Sequence, residues 1–175
     1  MSLSQFTSQD EFFMRRALEL ASVAESEGEV PIGAVLVRDG EIISEGWNRS
    51  IGQHDATAHA EVEALRKAGQ VLENYRLLDT TLYVTLEPCP MCAGALLHSR
   101  VKRVVFGVTD LKAGAAGTVL DLFESQAAYH YAEVEKGLLE DECKVVLQAF
   151  FKRRRKEIKE KKRKLKLDLE GKSEE

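Results

Sequence analysis

Apolar residues recur along this chain with two periods, and the switches between them mark out an alternating order of helices and strands. From Phe13 the apolar positions fall at Ala17, Leu20, Ala21 and Ala24, the three- and four-residue spacing of one helical face. Ser8-Gln9-Asp10-Glu11 reads as a capping box opening this helix, which is expected to end near Gly28. Pro31 to Val37 is then apolar throughout, the mark of a strand covered on both faces. Asp39-Gly40 is a tight-turn pair and Glu41 to Trp47 follows it, so these residues predict a hairpin with a type I′ turn.

Beyond a polar loop from Arg49 to Ala56, the spacing predicts a helix from about Ala58 to Leu72, with Thr57 as N-cap and Val62, Leu65 and Ala68 turned inward. Thr81 to Leu86 is rich in strand formers. Pro90 to Ser99 reads as a helix and Arg103 to Val108 as an apolar strand, an order that implies a right-handed parallel crossover. In Lys112-Ala113-Gly114-Ala115-Ala116-Gly117 two glycines among alanines suggest a loop whose backbone comes close to something. No lysine followed by serine or threonine completes a phosphate-binding P-loop there. Ala132 to Glu135 is a short strand candidate. A long helix begins near Leu138, with Leu139, Cys143, Val146 and Phe150 on its apolar face and Cys143 as an ordinary core thiol. The periodicity fades after Phe150 into basic residues, and the tail beyond about Lys159 is expected to fray. Residues 1–151 thus read as one α/β domain and 152–175 as a basic extension.

Composition narrows the class. A chain of 175 residues with 44% hydrophobic residues can bury one real core. No apolar run approaches the roughly 18 residues of a membrane span, and the N-terminus lacks the order of a signal peptide. Three cysteines are too few for a disulfide scaffold and fit a reducing compartment, so the expectation is cytoplasmic. The net charge of −4 hides an asymmetry. Between Lys152 and Lys166, eleven basic residues stand against Glu157 and Glu160, a local +9 that leaves −13 on the remainder. Such an imbalance hints at a nucleic-acid-binding segment.

Candidate chemistry lies between Thr57 and Cys92. His59 supplies an imidazole, and Cys89 and Cys92 supply two thiolates, ligands that zinc prefers. Three protein ligands leave the fourth tetrahedral position to water, the catalytic arrangement and not the closed structural one. His54 is left out of this set because a fourth protein ligand would close the site. Glu61 is the carboxylate such a site needs to move protons. Positions two apart on a helix point roughly 200° away from each other, so His59 and Glu61 can share a pocket only from a helix's first turn. Cys89 and Cys92 do share a face, and Pro90 suits the first turn of their helix. Alone, Cys-x-x-Cys could be a redox pair, a disulfide or two core residues. Joined to His59-Ala60-Glu61 and Pro88, it forms the H-x-E…P-C-x-x-C signature of zinc deaminases.

The pattern resembles the cytidine deaminase superfamily. Gly46-Trp47-Asn48-Arg49, His54 to Glu61 and Leu86 to Ala95 more closely resemble its bacterial tRNA-specific adenosine deaminases. The likeness runs from about Phe12 to about Glu157, with Ala56 standing where that family more often has proline. It implies a three-layer α/β/α sandwich around a mixed five-stranded sheet, one zinc per subunit and a homodimer. It further implies hydrolysis of the wobble adenosine of a tRNA anticodon stem-loop to inosine by zinc-activated hydroxide, with Glu61 as proton shuttle. Asn48 would contact the substrate nucleoside, although without the resemblance an asparagine closing a turn is the better reading. Phe151 beside Arg153 and Arg154 is a composition suited to stacking on RNA bases and pairing with phosphates. Two rivals stand beside this reading: a free nucleoside, guanine or cytosine deaminase of the same superfamily, and a non-catalytic zinc module that binds RNA.

Overall fold

The computed structural model describes residues 5–125 and 130–171, with side chains placed as far as 167. Residues 1–4 of the expected domain and 172–175 of the expected extension lie outside the described residues. The elements run α1 (Ser8–Ser26), β1 (Gly33–Arg38), β2 (Glu41–Trp47), α2 (Ser50–Gln53), α3 (Ala60–Val71), β3 (Thr80–Leu86), α4 (Pro90–His98), β4 (Arg103–Val108), β5 (Glu133–Lys136) and α5 (Glu140–Gly171).

The strands form one five-stranded sheet in the order β2-β1-β3-β4-β5. β1 pairs antiparallel with β2 and β3, while β3–β4 and β4–β5 are parallel, so the sheet is mixed. Alternation along each strand divides the core in two. Ala34, Leu36, Leu82, Val84, Val104 and Phe106 face a cluster that includes Ala64, Leu65 and Ala68 of α3 and Ala93, Leu96 and Leu97 of α4. Val35, Val37, Tyr83 and Val105 face Phe13, Met14, Ala17 and Leu20 of α1 and Cys143 of α5. This is the expected three-layer α/β/α sandwich. At the hairpin both Asp39 (φ 53°) and Gly40 (φ 78°) have positive φ, as a type I′ turn requires.

Four expectations need correction. The capping box is formed by Thr7 and Asp10, not Ser8 and Glu11: Thr7 Oγ1 accepts from the Asp10 N–H at 3.1 Å and Asp10 Oδ2 accepts from the Thr7 N–H at 2.8 Å. Tertiary contacts decide this register, because Asp10 Oδ1 also accepts from Tyr83 (2.6 Å) and Arg103 (2.7 Å). Thr57 does not cap α3; its side chain closes a turn on Asp55 at 2.7 Å and His59 takes the N-cap position. Val62 is only half-buried, and Ala64 occupies the inner face beside Leu65 and Ala68. The tail does not fray at Lys159: α5 continues to Gly171. Its lysines, arginines and glutamates are good helix formers, and Glu157 pairs with Arg153 and Arg154 within the helix.

Candidate active site

Two helix N-termini on the same face of the sheet build the site. His59 is the N-cap residue of α3, with an extended backbone (φ −79°, ψ 155°), and Glu61 lies in the first turn. Leaving the helical spiral at His59 is what allows an i, i+2 pair to serve one pocket. The cap comes from a distant residue: Asn48 is buried, and its Oδ1 accepts the Ala60 N–H at 2.9 Å. Cys89 caps α4 in the same extended conformation, Pro90 takes the first helical position, and Cys92 is fully buried.

The three groups converge. Ligand atoms of His59, Cys89 and Cys92 all lie within 4.8 Å of one another, and no fourth residue joins them among the described residues. Tetrahedral zinc with bonds of about 2.3 Å to sulfur and about 2.0–2.1 Å to nitrogen requires N···S separations of about 3.6 Å. His59 Nδ1 is 3.7 Å from Cys89 Sγ and 3.6 Å from Cys92 Sγ. The donor set and its spacing fit zinc. His54 stays outside this group, exposed and with a left-handed backbone (φ 53°) at the end of α2.

Electrostatics prepare the groups for their roles. The Cys89 thiol is drawn down to about 4, chiefly by a hydrogen bond from Cys92 and further by His59, against the opposing effect of burial. Cys92 is pushed up by giving its proton to that bond and by burial. His59 is raised, first by its hydrogen bond to Cys89. Glu61 is 4% exposed, and burial pushes its carboxyl up to about 7, within hydrogen-bonding reach of the Cys92 thiol. A carboxyl poised there can both take and return a proton near neutral pH.

Sequence reasoning missed Glu87. Buried before Pro88-Cys89, it accepts hydrogen bonds from the backbone N–H groups of Asp110 (2.9 Å), Ala116 (3.0 Å) and Thr118 (3.2 Å). Gly114 lies so close that a Cβ there would sit 2.3 Å from the Glu87 carboxylate. The backbone approach expected of the Gly-Ala-Ala-Gly loop is therefore to this carboxylate, and the Ala115 N–H completes the latch on Pro88 O at 2.9 Å. An acidic residue directly after the strand formers of Thr81 to Leu86 was the available signal.

The expected RNA-contacting residues lie on α5. Phe150 is buried and Phe151 is 44% exposed. Arg153 already holds Glu25 of α1 at 2.7 Å and lies over the Phe150 ring, 5.5 Å from its centroid. Arg154 pairs with Glu157 at 3.2 Å.

The family model for the cytidine and deoxycytidylate deaminase zinc-binding region matches residues 7–108. The tRNA-specific adenosine deaminase of Haemophilus influenzae is 57% identical over 151 residues, 86% of this chain and 87% of that protein. The chain belongs to the tRNA-specific adenosine deaminase family. The Bacillus subtilis family member is 50% identical, over 86% of this chain and 94% of its own. A solved structure from work on A-to-I editing by tRNA:A34 deaminases superposes with a TM-score of 0.76 at 43% identity, covering 78% of this chain and 99% of that one. A guanine deaminase from Nitrosomonas europaea shares the fold at TM-score 0.71 and 26% identity, covering 80% and 83% of the two chains. Like its relatives in this deaminase family, the chain is a zinc-dependent hydrolytic enzyme. No helix among the described residues is long and apolar enough to cross a membrane.

Proposed function

We propose that this protein hydrolyses adenosine to inosine at the wobble position of a tRNA anticodon, as a cytoplasmic homodimer. One zinc ion per subunit is held by His59, Cys89 and Cys92. The observation that carries the reading is a buried carboxyl, Glu61, placed two residues from His59 beside a three-ligand group spaced for zinc. The substrate assignment rests on the kinship with enzymes that act on tRNA adenosine.

Zinc bound there supplies the Lewis acidity that makes water a nucleophile at neutral pH. Glu61 takes the proton of the attacking water and delivers it to N1 of adenine while oxygen bonds to C6. A second transfer through Glu61, from the new hydroxyl to the amino group, accompanies cleavage of the C6–N bond and departure of ammonia. Asn48, tied to the same helix end as His59, contacts the nucleoside and keeps it in register with Glu61. An anticodon loop suits this pocket because its bases are already unpaired and can be splayed out at modest cost. Phe151 offers an exposed ring for stacking. Arg153 and Arg154 offer charge to phosphates by exchanging carboxylate partners.

Replacing Glu61 by Gln should leave zinc bound and lower inosine formation at least about 10²-fold. Undiminished turnover in that variant would exclude the assigned role. The guanine deaminase neighbour favours one alternative, hydrolysis of a free base or nucleoside. Ammonia release measured with guanine, cytosine, free nucleosides and tRNA separates the two readings.

A further inference from the structure

Between Asn48 and His59 the chain makes a closed excursion. Its ends are tied together: the Arg49 N–H donates to Ala58 O at 2.9 Å, and Asn48 Oδ1 accepts the Ala60 N–H at 2.9 Å. The excursion therefore stands at the edge of the ligand group, with His59 at one of its ends. Its outward limb is α2, four residues with no buried side chain and no side-chain cap from Arg49. So short a helix has no stability of its own. Glu29 holds it. This residue is 2% exposed, on the link between α1 and β1, and its own N–H is fixed to Ala24 O at 2.9 Å. Its Oε1 accepts the Gly52 N–H at 2.7 Å and its Oε2 accepts the Ile51 N–H at 3.2 Å. The Gln53 amide adds a long contact to Glu63 at 3.4 Å. The return limb has a separate support in Arg66, which donates to Thr57 Oγ1 at 2.9 Å and pairs with Asp55 at 3.4 Å.

We infer that Glu29 is a positioning residue for the reaction, which keeps α2 in place so that the wall of the pocket is formed before substrate arrives. The inference rests on the deaminase reading proposed above and adds to it a residue outside the ligand group. Burying a carboxylate is costly unless its oxygens are matched by donors. Here both oxygens are matched by the backbone of a segment that contributes no side chain to the core, so the bonds order a loop and not the interior. The reacting groups do not depend on these bonds. His59 and Glu61 stand at the start of α3, Cys89 and Cys92 at the start of α4. Asn48 keeps two anchors of its own, Ile32 O at 3.1 Å and the Ala60 N–H. Loosening α2 therefore lowers the fraction of molecules with a formed pocket, which weakens apparent binding in proportion and leaves the chemical step alone.

The test is Glu29→Gln, which keeps the shape of the side chain but turns an amide NH₂ toward a backbone donor. KM and kcat are measured with whichever of tRNA, guanine, cytosine or free nucleosides the parent deaminates, together with zinc affinity, thermal unfolding and amide exchange. KM should rise about tenfold, as expected for losing one hydrogen bond to a charged group, while kcat and zinc affinity match the parent. Exchange at Ile51 and Gly52 should quicken at least about tenfold, with the amides of β1 and β3 unaffected. Glu27→Gln removes the same charge from an exposed ion pair with Arg49 and should behave as the parent. An unchanged KM, a fall in kcat, or an equal rise in KM for Glu27→Gln would overturn the inference. So would a Glu29→Gln protein that unfolds or loses zinc, because Glu29 would then hold the fold and not the loop. The parent alone gives a second check, since freely exchanging Ile51 and Gly52 amides in it would also overturn the inference. A parent that acts on a free base and not on tRNA sinks the proposed substrate, while the role of Glu29 is still decided with that base and by exchange.

Discussion

Gly46→Ala is the substitution for which the structure forecasts the largest effect from the smallest change. A Cβ at Gly46 would stand 2.1 Å from Ala60 O and 2.6 Å from Ala64 N, both backbone atoms of α3. No side chain can swing aside, so the helix itself must retreat, by about 1.3 Å or more to recover ordinary contact. Alanine is conformationally acceptable at this strand position, which makes the cost steric and not torsional. His59 and Glu61 flank Ala60 and move with it. Cys89 and Cys92 hang from β3 and α4 and stay in place, so the ligand triangle opens. Overpacking of this kind costs about 1–3 kcal/mol, a fall in melting temperature of about 3 °C or more for a chain this size. A displacement of about 1 Å at reacting groups can cost about 10²-fold in turnover. The assays are thermal unfolding, zinc retention under chelator competition, and inosine formation. Gly69→Ala is the control: it lies in the same helix, its added Cβ would meet nothing closer than 3.7 Å, and it should be neutral or slightly stabilising. A Gly46→Ala protein with parental melting temperature, zinc affinity and turnover would refute the claim that this close approach positions the site.

Two further outcomes follow from buried carboxylates. Glu87→Gln replaces one acceptor oxygen with an amide NH₂ facing backbone donors, so stability should fall by about 1–3 kcal/mol and amide exchange at residues 110–118 should quicken; unchanged exchange there would remove Glu87 as the latch. Burial by itself would raise the Asp10 carboxyl, but hydrogen bonds from Arg103, Tyr83 and Thr7 outweigh it and hold the group well below the usual carboxylate range. Its contribution is therefore fully present above the unfolded value of about 3.9 and lost as pH falls through the folded value. Urea unfolding of Asp10→Asn should show a deficit relative to the parent at pH 7 that shrinks as pH falls below about 3.9; a deficit independent of pH would mean that the charge contributes nothing.

Much of this protein was legible in short stretches of chain. The hairpin at Asp39-Gly40 and the strand from Arg103 to Val108 depend on turn chemistry and a period of two, which neighbouring residues carry by themselves. The ligand set was legible because zinc admits few donor types and the motif places them in two compact segments. The structure decided whatever depends on groups far apart in sequence. Asn48 caps α3 across twelve positions, Glu87 gathers a loop more than twenty residues away, and Asp10 takes its register from Tyr83 and Arg103. None of these partners is implied by local propensity, because a buried carboxylate or amide is satisfied by whichever donors the fold brings to it. Arg153 shows the same limit, since its composition context suggests a phosphate contact and only the fold shows that it also lies against Glu25 of α1. The sequence alone singled out His59, Cys89 and Cys92 as a group that could hold a metal, and Glu61 as the carboxylate beside them. Only tertiary packing decided that Nδ1 of His59 faces both sulfurs and that Gly46 lets α3 come close enough to bring them together, because distances between remote segments are set by the whole core and by no single stretch of it.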